Sequence, residues 1–127
     1  MPRPTKPILT EWETTLIQIV WDNPSICASE IREILRERDI KRSDPAIRKT
    51  LGVMEEKGAI EHNVENRTFL YKALIKKNDA ERTGIEYISD LLFGGSVGSL
   101  VMRAIDEADL TPQMIKKIKK RLKEKKK

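Results

Sequence analysis

Apolar residues recur every three to four positions through the first 58 residues, then alternate every second one, then return to helical spacing. Thr10 and Glu13 stand at capping-box spacing. The run behind them, to about residue 22, puts Trp12, Leu16, Ile19 and Val20 on one face before Asn23-Pro24 ends it. Ser25-Ile26-Cys27 predicts a brief strand. A second helix over about 28–39 follows, with Ile31, Ile34 and Leu35 buried and either Cys27 or Ser29 as its cap. The third helix is SDPAIRKTLGVMEEKG, residues 43–58, with Asp44 as cap, Pro45 at the first helical position and Gly58 closing it. Its core face is Ile47, Leu51 and Met54, and Arg48, Lys49, Gly52 and Glu56 point away. Residues 59–64 and 68–74 alternate around Glu65-Asn66-Arg67, which predicts a β-hairpin with Arg67 at its tip.

Three further helices are expected. The first starts near Lys77, with Asn78 and Glu81 at capping-box spacing, and carries Ile85, Ile88, Leu91 and Leu92 to about Phe93. Gly94-Gly95 stops it, and Ser96 caps a helix bearing Val97, Leu100, Val101 and Ile105. Thr111-Pro112 opens the last one, which bears Ile115, Ile118 and Leu122. Short amphipathic helices of this kind have too little to bury against one another, so they are expected to pair with the same helices of a second chain. The fold class is mostly α with a small β-hairpin. A winged helix-turn-helix domain over residues 1–76, behind a loose arm at residues 1–9, precedes a helical dimerisation region over 77–127 that ends in a basic tail.

Charge changes the picture only when it is located. The net +5 is concentrated in residues 116–127, which hold nine Lys/Arg against one Glu; without them the chain is slightly acidic. A local patch therefore has to carry any nucleic-acid argument. Lys41, Arg42, Arg48 and Lys49 supply one in the segment KRSDPAIRK, against Asp44 alone. An exposed helix face carrying cations is common, but here the helix lies third in a helix–helix–helix–hairpin order. In that order it enters a DNA major groove N-terminus first, and Arg67 reaches a phosphate or the minor groove.

Other classes find little support. One cysteine, Cys27, excludes an intramolecular disulfide and a multi-thiolate metal site. It reads as a small, mostly buried residue. A single histidine, His62, completes no nucleophilic set, and there is no Gly-rich phosphate loop, so the chain does not read as an enzyme. No cofactor or metal is expected. No apolar run approaches the roughly 18 residues that span a membrane, and the first residues lack the apolar core of a secretory signal, so a cytoplasmic protein is expected.

The chain resembles the BlaI/MecI/CopY family of bacterial repressors, also called penicillinase repressors. The resemblance is carried by LTEWETTLIQIVW (9–21), ASEIREIL (28–35), AIRKTLGVMEEKGAI (46–60), FLYKALI (69–75) and DLLFGGSVGSLVMRAIDEADLTPQMI (90–115). It implies a repressor that binds a palindromic promoter operator in double-stranded DNA as a homodimer. It also implies base contacts at Ala46, Arg48 and Lys49 and release by proteolysis in the dimerisation region after a membrane sensor-protease signal. The segment Lys41, Arg42, Ser43 belongs to the same DNA-facing set. The chain departs from the family at Arg42, often Trp there, and at Ala46 and Lys49, often Thr. It lacks the paired Cys-x-Cys motifs of the copper-responsive branch. The family's scissile Asn-Phe bond aligns with Arg103-Ala104. Two alternatives stay beside this reading: a winged-helix protein-interaction module, and a ligand-responsive regulator not controlled by proteolysis.

Overall fold

Side-chain caps set where the helices begin. The computed structural model describes residues 8–126, so most of the arm read over residues 1–9 lies outside the described residues. Thr10 Oγ1 accepts from the Glu13 amide at 3.1 Å and Glu13 Oε1 accepts from the Thr10 amide at 2.8 Å, which starts α1 (Glu11–Asp22). α2 (Ala28–Glu37) opens with the Cys27 amide donating to Glu30 Oε1 at 3.2 Å. It stops short of Asp39, which takes a left-handed φ of 59°. Ser43, not Asp44, caps α3 (Asp44–Glu56): its Oγ accepts from the Ala46 amide at 3.2 Å. Asp44 and Pro45 then fill the first two helical positions, where an amide has no helical partner and proline costs nothing. Asp44, released from capping, lies 3.6 Å from the Arg32 guanidinium at the positive end of the helix dipole.

The hairpin pairs β1 (Ile60–Glu65) with β2 (Thr68–Ala73), antiparallel, from Ile60 opposite Ala73 to Glu65 opposite Thr68. Its two-residue turn, Asn66-Arg67, has φ of 49° and 64°. Positive φ at both positions is the turn geometry that matches the strands' right-handed twist. The brief strand expected before α2 is a single bridge, Ile26 to Tyr71, with backbone hydrogen bonds of 3.1 and 2.7 Å.

Leu16, Ile17, Ile19, Ile31, Leu35, Ile47, Leu51, Met54 and Ile60 are completely or almost completely buried in one core. Ile17 joins the expected set. Trp12 and Ile34, expected inside, are only partly buried at its margin. Both tryptophans use their ring N–H: Trp12 donates to Thr50 Oγ1 at 2.9 Å and Trp21 to the Ile75 carbonyl at 3.0 Å.

Glu13 is 4% exposed, and Lys57 Nζ lies 2.7 Å from its Oε1. Burial alone pushes its carboxyl pKa up. The Lys57 ammonium and the Thr10 hydrogen bonds outweigh burial and hold it below the ordinary value. A folded pKa below the unfolded one adds stability that is complete above the unfolded value and lost as pH falls through the folded value. Glu13→Gln is expected to lower the unfolding free energy at pH 7 by about 1–2 kcal/mol. The gap to wild type closes as pH drops below about 4 in urea titrations.

The remaining elements are α4 (Lys77–Leu92), α5 (Val97–Glu107) and α6 (Pro112–Lys125). α4 starts one residue before Asn78, so Asn78 lies inside the first turn and does not cap it. Its end is closed by Gly94 and Gly95, both left-handed, with the Gly95 amide donating to the Ser89 carbonyl at 2.9 Å. Ser96 and Thr111 cap the next two helices as expected, accepting from Ser99 and Met114 amides at 3.0 and 3.1 Å. The described residues form two compact units, divided between Ile85 and Glu86. Within the described residues of the second unit, only Ser89 is buried.

Candidate nucleic-acid interface

Successive residues of α3 turn by about 100°, so the buried stripe of Ile47, Leu51 and Met54 fixes what every other residue faces. Ala46, Arg48, Lys49, Gly52, Val53 and Glu56 are exposed. Thr50 lies on one flank, against Trp12. Glu55 lies on the other, where its carboxylate meets His62 Nδ1 at 2.5 Å. The His62 ring also stacks on Phe69, with centroids 3.9 Å apart. It is a satisfied residue tying the last turn of α3 to the hairpin.

Arg48 shares the hairpin flank. It lines a groove of about 360 Å³ with Arg67, Phe69 and Tyr71 and with Cys27, Ala28 and Ser29 at the start of α2. Two guanidinium groups from different elements thus border one concavity that the first turn of a helix also lines. That combination suits an anion. The sequence separates Arg48 and Arg67 by 19 positions, and their joining depends on how the hairpin folds back. Burial raises the pKa of the Tyr71 hydroxyl and the Glu55 carboxylate adds to the rise, against Arg48, so this hydroxyl stays protonated.

A second concavity, about 700 Å³, lies where α2 leads into α3 and is lined by Arg32, Arg36, Ile40, Lys41, Arg42 and Ser43. Arg42 rests its guanidinium 5.1 Å over the Trp12 ring and donates to the Lys41 carbonyl at 3.1 Å. Ser43 is occupied as the cap. Arg32 and Arg36 were not among the residues singled out from sequence. Their four-residue spacing on the outer face of α2 was the available signal.

In the second unit the residues expected to pair chains keep much of their surface. Ile88 is 37% exposed, Ile105 38%, Val101 45%, Leu122 53% and Leu92 70%. Val97, Ile115 and, in the first unit, Ile85 are also exposed, and Leu100 and Ile118 are half-buried. Arg103 points outward and pairs with Glu107 at 3.4 Å; Ala104 beside it is exposed. Among the described residues, no single helix is long and apolar enough to cross a membrane. No three His, Cys, Asp or Glu gather into a metal site there.

The family model described as penicillinase repressor matches residues 9–124. The methicillin resistance regulatory protein MecI of Mammaliicoccus sciuri is 27% identical over 110 residues, covering 86% of this chain and 86% of its own. A penicillinase repressor of Staphylococcus aureus is 25% identical over 112 residues, 87% of this chain and 86% of its own. The solution structure of the DNA binding domain of the repressor BlaI superposes with a TM-score of 0.50 at 27% identity. It covers 59% of this chain and 93% of that one.

Proposed function

The chain belongs to the penicillinase repressor family, and from that premise we propose that it is a cytoplasmic transcriptional repressor that binds double-stranded DNA. It acts as a homodimer on a palindromic promoter operator, one winged domain per half-site. The division of labour places DNA binding before Lys77 and chain pairing after it. The observation that carries the reading is the outward face of α3 with cations on both flanks, above all Arg48 and Arg67 beside one groove. Lys49 and Ala46 face the bases. Arg48 and Arg67 hold the strand passing between helix and wing, and Lys41 and Arg42, joined by Arg32 and Arg36, meet phosphate on the other flank.

Pairing is supported by the second unit's exposed apolar side chains. Each has on the order of 1 kcal/mol still to gain from burial against a partner. Release by proteolysis within α5 follows from the same reading, with Arg103-Ala104 as the aligned bond and a membrane sensor-protease system as the source of the signal.

Arg67 provides the test. Arg67→Ala is expected to weaken binding to specific and random duplexes alike and to reduce the slope of log affinity against log salt by about one phosphate contact. Absence of salt-dependent binding to duplex DNA in the wild type would favour a protein-interaction module.

A further inference from the structure

Gly52 lies in the interior of α3, on its solvent side, and nothing among the described residues requires a glycine there. A Cβ built on it meets no atom within 4 Å, and its φ is not left-handed. Glycine is the costliest residue in a helix interior after proline. The same outer face carries Ala46 and Val53, the latter an apolar side chain 40% exposed. Exposed helix faces ordinarily carry long polar side chains. Here Lys49 and Glu56 stand opposite the buried stripe, and the low positions Gly52, Val53 and Ala46 flank them, with Arg48 at the edge of the face.

We propose that Gly52 is the point where the backbone of α3 comes closest to the base-pair edges of the major groove, and that Val53 and Ala46, on the Thr50 side of the same exposed face, pack against thymine methyl groups. The inference rests on the reading of α3 as the helix that enters the groove. Charge complementarity names the occupant: the cations around the patch suit phosphates. A groove about 12 Å wide accepts a helix more deeply where one side chain is missing. Thymine is the base that offers an apolar group in that groove, and a valine or alanine methyl is the matching surface. The glycine therefore serves the complex at the expense of the free protein.

The experiment uses the full chain and a duplex selected by the wild-type protein from a random library. Gly52→Ala is expected to raise Tm by about 3–6 °C through helix propensity and to weaken binding to that duplex by about tenfold or more. Replacing its thymines by deoxyuridine, which removes only the methyl groups, is expected to weaken wild-type binding by about fivefold. Lys49→Ala is measured alongside. If Lys49→Ala binds weakly but Gly52→Ala binds like wild type, the inference fails and the reading of α3 stands. If both bind like wild type, the reading of α3 fails. A lower Tm for Gly52→Ala makes the glycine structural and overturns the proposal. Indifference to deoxyuridine overturns the methyl contact.

Discussion

Cutting the purified protein inside α5 is expected to lower its affinity for a full palindrome by about 10²- to 10⁴-fold, with affinity for a single half-site unchanged. The first winged domain to bind holds the second near its own half-site, so the second event occurs at high effective concentration. That advantage exists only while the chains are paired. α5 presents Val97, Val101 and Ile105, and α6 presents Ile115 and Leu122, all at least 38% exposed in the single chain. A nick within α5 interrupts its hydrogen-bond ladder and separates α6 from the rest. The DNA surface of the first unit is untouched. A protease site placed at residues 99–104 gives the measurement: mass and operator binding before and after the cut. Uncut protein that no longer dimerises would show the insertion itself to be disruptive. Cut protein that binds the palindrome as before would make a bound ligand or a changed protein level the better account of release.

Arg48→Ala is expected to reduce operator affinity by about 10- to 100-fold, the size of one charge-assisted contact to the strand backbone. The fold should not change, because Arg48 is exposed and its neighbours Ile47 and Leu51 supply the packing. The groove adds a sharper expectation. If Arg48 and Arg67 hold the same stretch of backbone, the double variant loses less than the two single losses combined. Full additivity in titrations at fixed salt would assign them to separate phosphates. Unchanged affinity in Arg48→Ala would mean that a different helix or face meets the DNA.

Local chemistry made much of this legible. Thr10 with Glu13, Ser96, and Thr111 with Pro112 each announce a helix start within a few residues, and each cap forms as read. The alternation around Asn66-Arg67 likewise gives a hairpin with Arg67 at its tip. The third helix is ambiguous at its start because Ser43 and Asp44 are both good acceptors and Pro45 fits either register. Local chemistry alone does not choose between them. Asn78 misleads for the opposite reason: the spacing is right, but the helix has already begun at Lys77. Contacts between distant residues were hidden. Glu13 reads as a surface cap until Lys57, 44 positions away, closes over it. Arg42 reads as an open cation until Trp12 takes its guanidinium. The face of α3 was visible from its period, but which flank carried the wing was not. So the joining of Arg48 with Arg67 had to come from the fold.

The two links from α1 to α3 bear on the thermodynamics of recognition. Trp12 holds the middle of α3 through Thr50, and Glu13 holds its end through Lys57. In the proposed complex, a helix fastened at two heights to the core has little orientational freedom left to lose when it docks. Immobilising a flexible side chain on binding typically costs about 0.5–1.5 kcal/mol. The backbone of α3 is already ordered when the domain has folded. Preorganisation of this kind leaves the exposed cations as the main groups still to be ordered by the DNA.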